Sequence, residues 1–211
     1  MTSVALLFLF MSIFPDSLHV LYEEGDIEGL EALCEEPENL VTDLMCRYRL
    51  YPLTENEALL EDIPTSLDDG SATEFALLSG LWGYKTGNAS AFQMPRFGMR
   101  SNRLMTRAKE KNPLNPLVLL INGQSLLYRP SFIGGDDRQA LEQFELLRRV
   151  VPNNPEYGVS KIEADMWYWY TLEKLGKSEA TSMREELLES DPPPTFRDFI
   201  ENPPDLDEAR S

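Results

Sequence analysis

Five basic side chains recur at helical spacing within one segment of the chain. They are Arg96, Arg100, Arg103, Arg107 and Lys111. The steps of four, three, four and four residues place all five along one stripe of a helix, and Glu110 is the only acid between Ala91 and Lys111. Such a row could clamp an acidic peptide or another anion. The simpler interpretation, which we favour, is that the cations pair with carboxylates on neighbouring helices.

A run of aromatic residues supplies weaker candidates for partner contacts. Met166 is followed by Trp-Tyr-Trp-Tyr, in which Trp167 and Tyr170 are three residues apart and share a helix face. We expect most of this run to lie in the core between helix pairs. Any of Tyr128, Trp167 and Tyr170 that is left on a groove could anchor a peptide.

A glycine pair marks a possible anion site. Gly134 and Gly135 precede the start of a predicted helix, where backbone amides can hold an anion. Asp136 and Asp137 follow, and they would cap those amides themselves and repel a phosphate. The sequence therefore predicts a structural turn here, and no complete phosphate-binding loop is present.

The chain has one histidine and two cysteines. A nucleophilic pair of His19 with Cys34 or Cys46 would need an orienting group and an oxyanion site, and no motif indicates either. Two cysteines are too few for a disulfide framework or a four-ligand zinc site. We expect buried, inert thiols. A single bridge between adjacent helices is the alternative if the chain is exported.

Carboxylates give little support for an enzyme. Acidic pairs such as Glu185-Glu186 are common at this composition and fall on predicted solvated faces, so a two-carboxylate hydrolase is weakly indicated. The sequence therefore predicts no catalytic residue, no metal ligand and no cofactor. The alternative that remains is an enzyme, or an enzyme subunit, that uses carboxylates lining a groove.

The overall charge limits the classes of partner. With 36 acidic and 19 basic residues the formal net charge is −17, which repels phosphate backbones and anionic membrane surfaces. Nucleic-acid binding by the whole surface is therefore not expected, although solubility or a salty habitat would also explain the charge. No Lys or Arg precedes Arg47, so the amino-terminal part forms an acidic cap.

The first residues bear on location. Val4 to Phe14 form an eleven-residue apolar run, which is too short to span a bilayer but has the length of a signal-peptide core. The run lacks a preceding Lys or Arg and a small-x-small cleavage site. A misassigned start, a buried first helix or an assembly element are the alternatives. We expect an exported, periplasmic or envelope-associated protein without an integral membrane span, and otherwise a cytoplasmic one.

A proline repeat organises the helices that must position these groups. Pro113, Pro152 and Pro192 lie 39 and 40 residues apart. A small residue stands twelve positions before each proline, namely Ser101, Ala140 and Ala180, and an apolar one five before, namely Ala108, Leu147 and Leu187. A small residue for close approach, an apolar residue on the same face and a closing proline are typical of the second helix of a packed pair.

Caps and apolar periodicity predict the remaining boundaries. The predicted pairs are Ala72–Tyr84 with Ala91–Lys111, Pro116–Tyr128 with Arg138–Val151, and Lys161–Leu175 with Ser178–Glu189. Three shorter helices are predicted upstream, over 26–34, 40–51 and 55–63. Asn115 and Asn154 read as amino-terminal caps, Gly176 as a carboxy-terminal cap, and Gly123 as the site of a close helix crossing.

The repeat resembles the tetratricopeptide-repeat superfamily over about residues 70 to 192. The family's pattern is matched by Gly123, Ala140, Phe144, Leu147 and Pro152. Its second half recurs at Gly176, Ala180, Leu187 and Pro192. The chain departs from the pattern between Gly123 and Ala140, where Tyr128 to Gly135 contain an insertion. This turn is similar to one in largely uncharacterised exported bacterial tetratricopeptide proteins, which implies export but transfers no activity.

We therefore expect an all-α protein of antiparallel helical hairpins, stacked as a short right-handed tetratricopeptide-like solenoid. The expected divisions are a signal peptide or apolar first helix over 1–17, an acidic helical cap over 18–68, three helix pairs over 69–195 and an acidic tail over 196–211. The resemblance implies a non-catalytic scaffold that binds a protein or peptide. It does not define the oligomeric state.

Overall fold

The computed structural model describes residues 16–205, and that range is all-helical without a strand. The expected all-α class is thereby confirmed. The helices are α1 (Asp16–Glu24), α2 (Ile27–Cys34), α3 (Leu40–Thr54), α4 (Ala72–Gly87), α5 (Met94–Lys111), α6 (Pro116–Tyr128), α7 (Asp137–Val150), α8 (Lys161–Lys174), α9 (Glu179–Glu189) and α10 (Pro194–Glu201).

Local chemistry sets several of these boundaries as expected. The Asn115 side chain accepts hydrogen bonds from the amides of Leu117 and Val118 at the start of α6. Gly176 ends α8 with a φ of +62°, a conformation that glycine adopts without penalty. Asn154 precedes the 3₁₀ helix Pro155–Tyr157, which begins with proline as predicted. Its side chain makes no capping hydrogen bond but donates to the Val150 carbonyl, and Ser160 caps α8.

The repeat positions lie where two helices approach each other. Ser101, Ala140 and Ala180 are all buried. Between α4 and α5 the Ser79 hydroxyl donates to the Ser101 carbonyl at 2.9 Å, and the Ser101 hydroxyl donates to the Ser79 carbonyl at 2.8 Å. A larger side chain at either position would push the two backbones apart. The small residues are therefore needed for packing.

After residue 70, helices that follow each other in the sequence pack against each other. α4 packs against α5, α6 against α7 and α8 against α9, while α4 also contacts α6 and α7 contacts α8. Trp82 near the end of α4 meets Phe97 near the start of α5, and Phe75 near the start of α4 meets Arg107 near the end of α5. The contacts between α4 and α5 thus run in opposite order along the two helices.

Gly123 lies at a close crossing of α6 and α7, as predicted. A Cβ at this position would lie 2.6 Å from ring carbons of Phe144. We expect Gly123→Ala to lower the free energy of unfolding by about 1–3 kcal/mol, because the ring must shift in a packed core. Gly87→Ala is the control, since a Cβ there meets no atom within 4 Å. Urea denaturation that finds the two variants equally stable would contradict the close crossing.

The amino-terminal helices differ from expectation in their extent and place. The helix expected over 55–63 is only a 3₁₀ helix, Glu57–Leu60. α3 packs on α4 and also reaches α6 and α8, because the Tyr48 hydroxyl donates to Gln124 and Arg49 pairs with Glu163. α3 therefore lies against α4 and is tied by side-chain contacts to both α6 and α8. The apolar run from Val4 to Phe14 lies outside the described residues.

The segment expected as an acidic tail, 196–211, begins with a helix instead. α10 buries Phe196 and Ile200, which are four residues apart and form an apolar stripe among acids. The helix packs on α1 and α8, and the Thr195 hydroxyl donates to the Tyr22 carbonyl at 2.9 Å. The first and last described helices of the chain thus pack against each other.

A disulfide joins Cys34 to Cys46, with the two Cα atoms 5.7 Å apart. The expectation of inert thiols is wrong, and the alternative of one bridge between adjacent helices is what the structure shows. It links α2 to α3, so the nucleophilic pairing considered for His19 has no free thiol among the described residues.

None of the helices between residues 16 and 205 combines the length and the apolar composition that crossing a membrane requires.

Candidate functional site

Three of the five predicted cations are held within the protein. Arg107 donates to the carbonyl oxygens of Leu67 and Asp68 and lies 4.1 Å from the ring centroid of Phe75. Lys111 Nζ lies 3.1 Å from Asp69 Oδ1, and this hydrogen bond and the ammonium charge lower the pKa of Asp69. Both residues therefore hold the segment before α4 against α5.

The guanidinium group of Arg100 packs on an aromatic ring. This group lies 4.4 Å from the ring centroid of Trp82, whose indole N–H donates to the Pro64 carbonyl at 2.9 Å. Cations that sit over tryptophan faces are attracted by the ring electrons. The sequence favoured pairing with carboxylates on neighbouring helices, and the structure differs: Arg100 and Arg107 contact rings and carbonyl oxygens, and only Lys111 meets a carboxylate, Asp69, which lies before α4.

Arg96 and Arg103 differ from the other three. Both are exposed, and within residues 16–205 neither guanidinium group forms a hydrogen bond or an ion pair. Seven residues of helix separate them by about 10.5 Å along the axis of α5. Met99 lies on the turn between them and is 55% exposed, and Phe92, just before the helix, is 94% exposed. We define these four residues as the α5 surface.

A second pair of cations borders the opposite flank of α5. Arg129, from the end of α6, donates to Asn102 Oδ1 at 2.7 Å and to the Ser125 hydroxyl. Burial lowers the pKa of Lys109, and the charge of Arg129 lowers it further. Neither cation forms an ion pair in the described part of the chain. Lys109 and Arg129 therefore add positive charge on this flank, and neither is neutralised by an ion pair within residues 16–205.

The turn between α6 and α7 adds exposed apolar side chains. Phe132 is 85% exposed and Ile133 is 48% exposed. A Cβ at Gly135 would lie 1.7 Å from the Arg129 carbonyl oxygen, so only glycine fits where the turn folds back. Asp136 accepts hydrogen bonds from the amides at the start of α7, which lowers its pKa and leaves those amides satisfied. The glycine pair is thus a structural turn, as predicted.

The aromatic candidates lie in or against the core. Trp167 contacts the rings of Tyr128 and Phe144, with centroids 6.2 and 5.8 Å apart, and α10 covers it through Phe199 at 5.1 Å. Tyr170 is fully buried and its hydroxyl donates to the Pro204 carbonyl at 2.5 Å. These side chains stabilise the packing of α8 and α10. Trp167 and Tyr170 are buried and so are not available as peptide anchors in this structure, whereas Tyr128 is partly exposed.

A buried ion pair that the sequence did not reveal joins α3 to α8. Arg49 donates to both carboxylate oxygens of Glu163, at 2.5 and 2.9 Å, and to the Gly158 carbonyl at 2.9 Å. Its guanidinium lies 4.3 Å from the ring centroid of Tyr22. Burial alone would lower the pKa of Arg49, but the charge and hydrogen bonds of Glu163 outweigh it and raise that pKa above its ordinary value. Burial also raises the pKa of Tyr22 to about 12.

Two surface clefts bear on the enzyme alternative. The first, of about 290 Å³, lies beside the disulfide and holds the pair Arg47–Asp43. The second, of about 280 Å³, lies between α7 and α8, where Arg148 and Lys161 both bind Asp165. A second carboxylate lines each cleft, Glu31 in the first and Glu145 in the second. Asp43, Asp165 and Glu145 each face a cation, whereas a two-carboxylate hydrolase needs two carboxylates facing one substrate. Within the described residues no group of three or more His, Cys, Asp or Glu is arranged to hold a metal ion.

Comparison with known proteins adds no relative to these observations. No family model, no curated protein and no solved structure matches the chain. The resemblance to tetratricopeptide repeats stays a prediction.

Proposed function

We propose that this chain is a non-catalytic helical-repeat scaffold that binds a protein or peptide partner through the α5 surface. The proposed architecture is a short right-handed solenoid of three tetratricopeptide-like pairs, α4 with α5, α6 with α7 and α8 with α9. The buried small residues Ser101, Ala140 and Ala180 and the close crossing at Gly123 support this assignment.

The position of the proposed binding surface follows from which helix faces are already covered by other helices of the chain. Helical repeats often bind partners along the extended concave surface that their stacked helices form. Here α3 lies on α4 and reaches α6 and α8, and α10 packs on α8. The proposed partner therefore binds elsewhere, on the side of α5 that faces away from α4.

The observation that carries the proposal is the exposure of Arg96, Arg103 and Met99 together. Arginine, methionine and aromatic residues are enriched in protein interfaces relative to other surface. In a chain of net charge −17, two cations without an internal carboxylate mark a place where an acidic partner is attracted.

We further propose that the protein works in an oxidising compartment, such as the periplasm or the cell envelope. The bridge between Cys34 and Cys46 supports this, because disulfides persist outside the reducing cytosol.

Affinity capture from native extract tests the binding proposal. We expect the variant Arg96→Glu, Arg103→Glu to recover much less of any specific partner than the wild type, because both contacts become repulsive. The control is Arg149→Glu, Lys177→Glu, which changes the charge equally at exposed residues away from α5. If both variants recover the same partners in wild-type amounts, the α5 surface is not the binding site.

A further inference from the structure

The chain carries on α9 the complement of its own α5 surface, and this inference rests on the proposed function. We infer that the partner of the α5 surface is a second copy of the chain, which binds through α9. The two helices lie antiparallel, and each contact joins one residue of α5 to one of α9: Arg96 to Glu186, Met99 to Met183, and Arg103 to Glu179.

The order of residues along α9 is the reverse of that along α5. On α5 the exposed methionine follows the first arginine by three residues and precedes the second by four. On α9, Met183 follows Glu179 by four residues and precedes Glu186 by three. Both helices rise by about 1.5 Å per residue, so in an antiparallel pair all three contacts come into register together.

The acids of α9 are free to accept a partner. Glu179 and Glu186 are exposed, and neither forms an ion pair within residues 16–205. Hydrogen bonds from its own backbone amide and from the Ser178 hydroxyl lower the pKa of Glu179, so its carboxylate stays charged. Met183 is half-buried at the edge of the core, and an unbranched thioether adapts to the side chain that it meets. Each charge on α9 can therefore pair with an arginine without losing an internal ion pair.

The charges of the two whole helices are also opposite. α5 contains six cations and one acid, whereas α9 contains four acids and one cation. Two copies of a chain with net charge −17 repel each other over most of their surface, and a local excess of cations such as that of α5 reverses this repulsion. Complementary charge of this kind determines which surfaces meet and in which register.

The positions of the two helices in the proposed stack allow the contact to repeat. α5 belongs to the first helix pair and α9 to the last, and terminal repeats lack a neighbour on one side. Because the contact joins two different surfaces, a dimer still has one α5 surface and one α9 free. The inferred assembly is therefore a head-to-tail chain or ring, whose mean mass rises with protein concentration.

α1 is the other described helix whose sequence has an apolar residue between two acids in this order, at Asp16, Val20 and Glu23. Glu23 is half-buried and hydrogen-bonds the side chain of Ser160, at the start of α8. α1 also packs against α2, α3 and α10. A contact through α1 would have to break part of this packing, whereas the acids of α9 are already exposed. We therefore assign the contact to α9.

Charge reversal on each side of the contact tests the inference. Self-association of the full chain is measured by sedimentation velocity over a series of concentrations. We expect Arg96→Glu, Arg103→Glu and Glu179→Arg, Glu186→Arg each to raise the Kd of self-association by about tenfold or more, because like charges then face each other. The variant with all four changes keeps the net charge of the wild type and restores opposite charges across the contact. Its Kd should lie within about threefold of the wild-type value.

Glu28→Arg, Glu35→Arg is the matched control. These two acids are also exposed and seven residues apart, in α2 and directly after it, but the residue between them is Glu31 instead of a methionine. The control changes the net charge as much as the α9 variant does, so it weakens the general repulsion between copies equally. We expect the control to associate at least as tightly as the wild type.

Three results would overturn the inference. The first is a wild type that stays monomeric at all concentrations. The second is an α9 variant that associates as tightly as the control. The third is a fourfold variant that stays monomeric although its circular dichroism spectrum matches that of the wild type.

These outcomes separate the inference from the proposed function. If the wild type does not self-associate but capture of a different protein still depends on Arg96 and Arg103, only the inferred partner is wrong. If capture is independent of both arginines as well, the α5 surface is not a binding site and the proposed function fails with the inference.

Discussion

Replacing Glu163 with leucine should lower the free energy of unfolding by about 3–5 kcal/mol. Arg49 is only 2% exposed, and without Glu163 its charge stays buried with the Gly158 carbonyl and the face of Tyr22 as its remaining partners. Urea denaturation of the single variant measures the loss.

The double variant Arg49→Met, Glu163→Leu separates the ion pair from the packing. Because it removes both charges, we expect its free energy of unfolding to lie within about 2 kcal/mol of the wild-type value. This loss is far smaller than the sum of the losses in the two single variants. Full recovery is not expected, since the Gly158 carbonyl loses its donor. Additive losses in the double variant would mean that the pair does not determine how α3 attaches to α8.

Removal of the disulfide should lower the free energy of unfolding by about 3 kcal/mol. The bridge spans a sequence separation of 12, and in the chain-entropy account closing such a loop restricts the unfolded chain by about this amount. Cys34→Ala, Cys46→Ala should therefore unfold at a lower urea concentration than the oxidised wild type.

Reductant supplies the internal control for this prediction. Dithiothreitol should shift the wild-type transition close to that of the double variant and leave the variant unchanged. A wild-type transition that does not respond to reductant would contradict the assigned role of the bridge.

Local sequence signals predicted the helices from α4 to α9 well. Pro116–Tyr128 has its predicted bounds, since Asn115 and Pro116 start the helix by local chemistry that needs no tertiary contact. α10 was missed because only Phe196 and Ile200 interrupt an acidic segment, and their burial depends on α1 and α8. The ion pair of Arg49 and Glu163 joins residues 114 apart, a separation that no local pattern encodes.

Helical periodicity predicted that five cations share one stripe of α5, but it could not distinguish those that contact other parts of the protein from those that stay exposed. Arg107 and Lys111 are occupied because the segment before α4 lies against α5, and Arg100 is occupied because Trp82 lies beneath it. These are tertiary contacts of residues that precede α5. The exposure of Arg96 and Arg103 therefore became visible only in the folded chain.

Titration of the purified partner measures directly whether α5 carries the binding surface. We expect Arg96→Glu, Arg103→Glu to raise the Kd about tenfold or more, Arg149→Glu, Lys177→Glu to leave it unchanged, and added salt to weaken wild-type binding. A Kd that is the same for the wild type and for both variants would contradict the claim that α5 carries the binding surface.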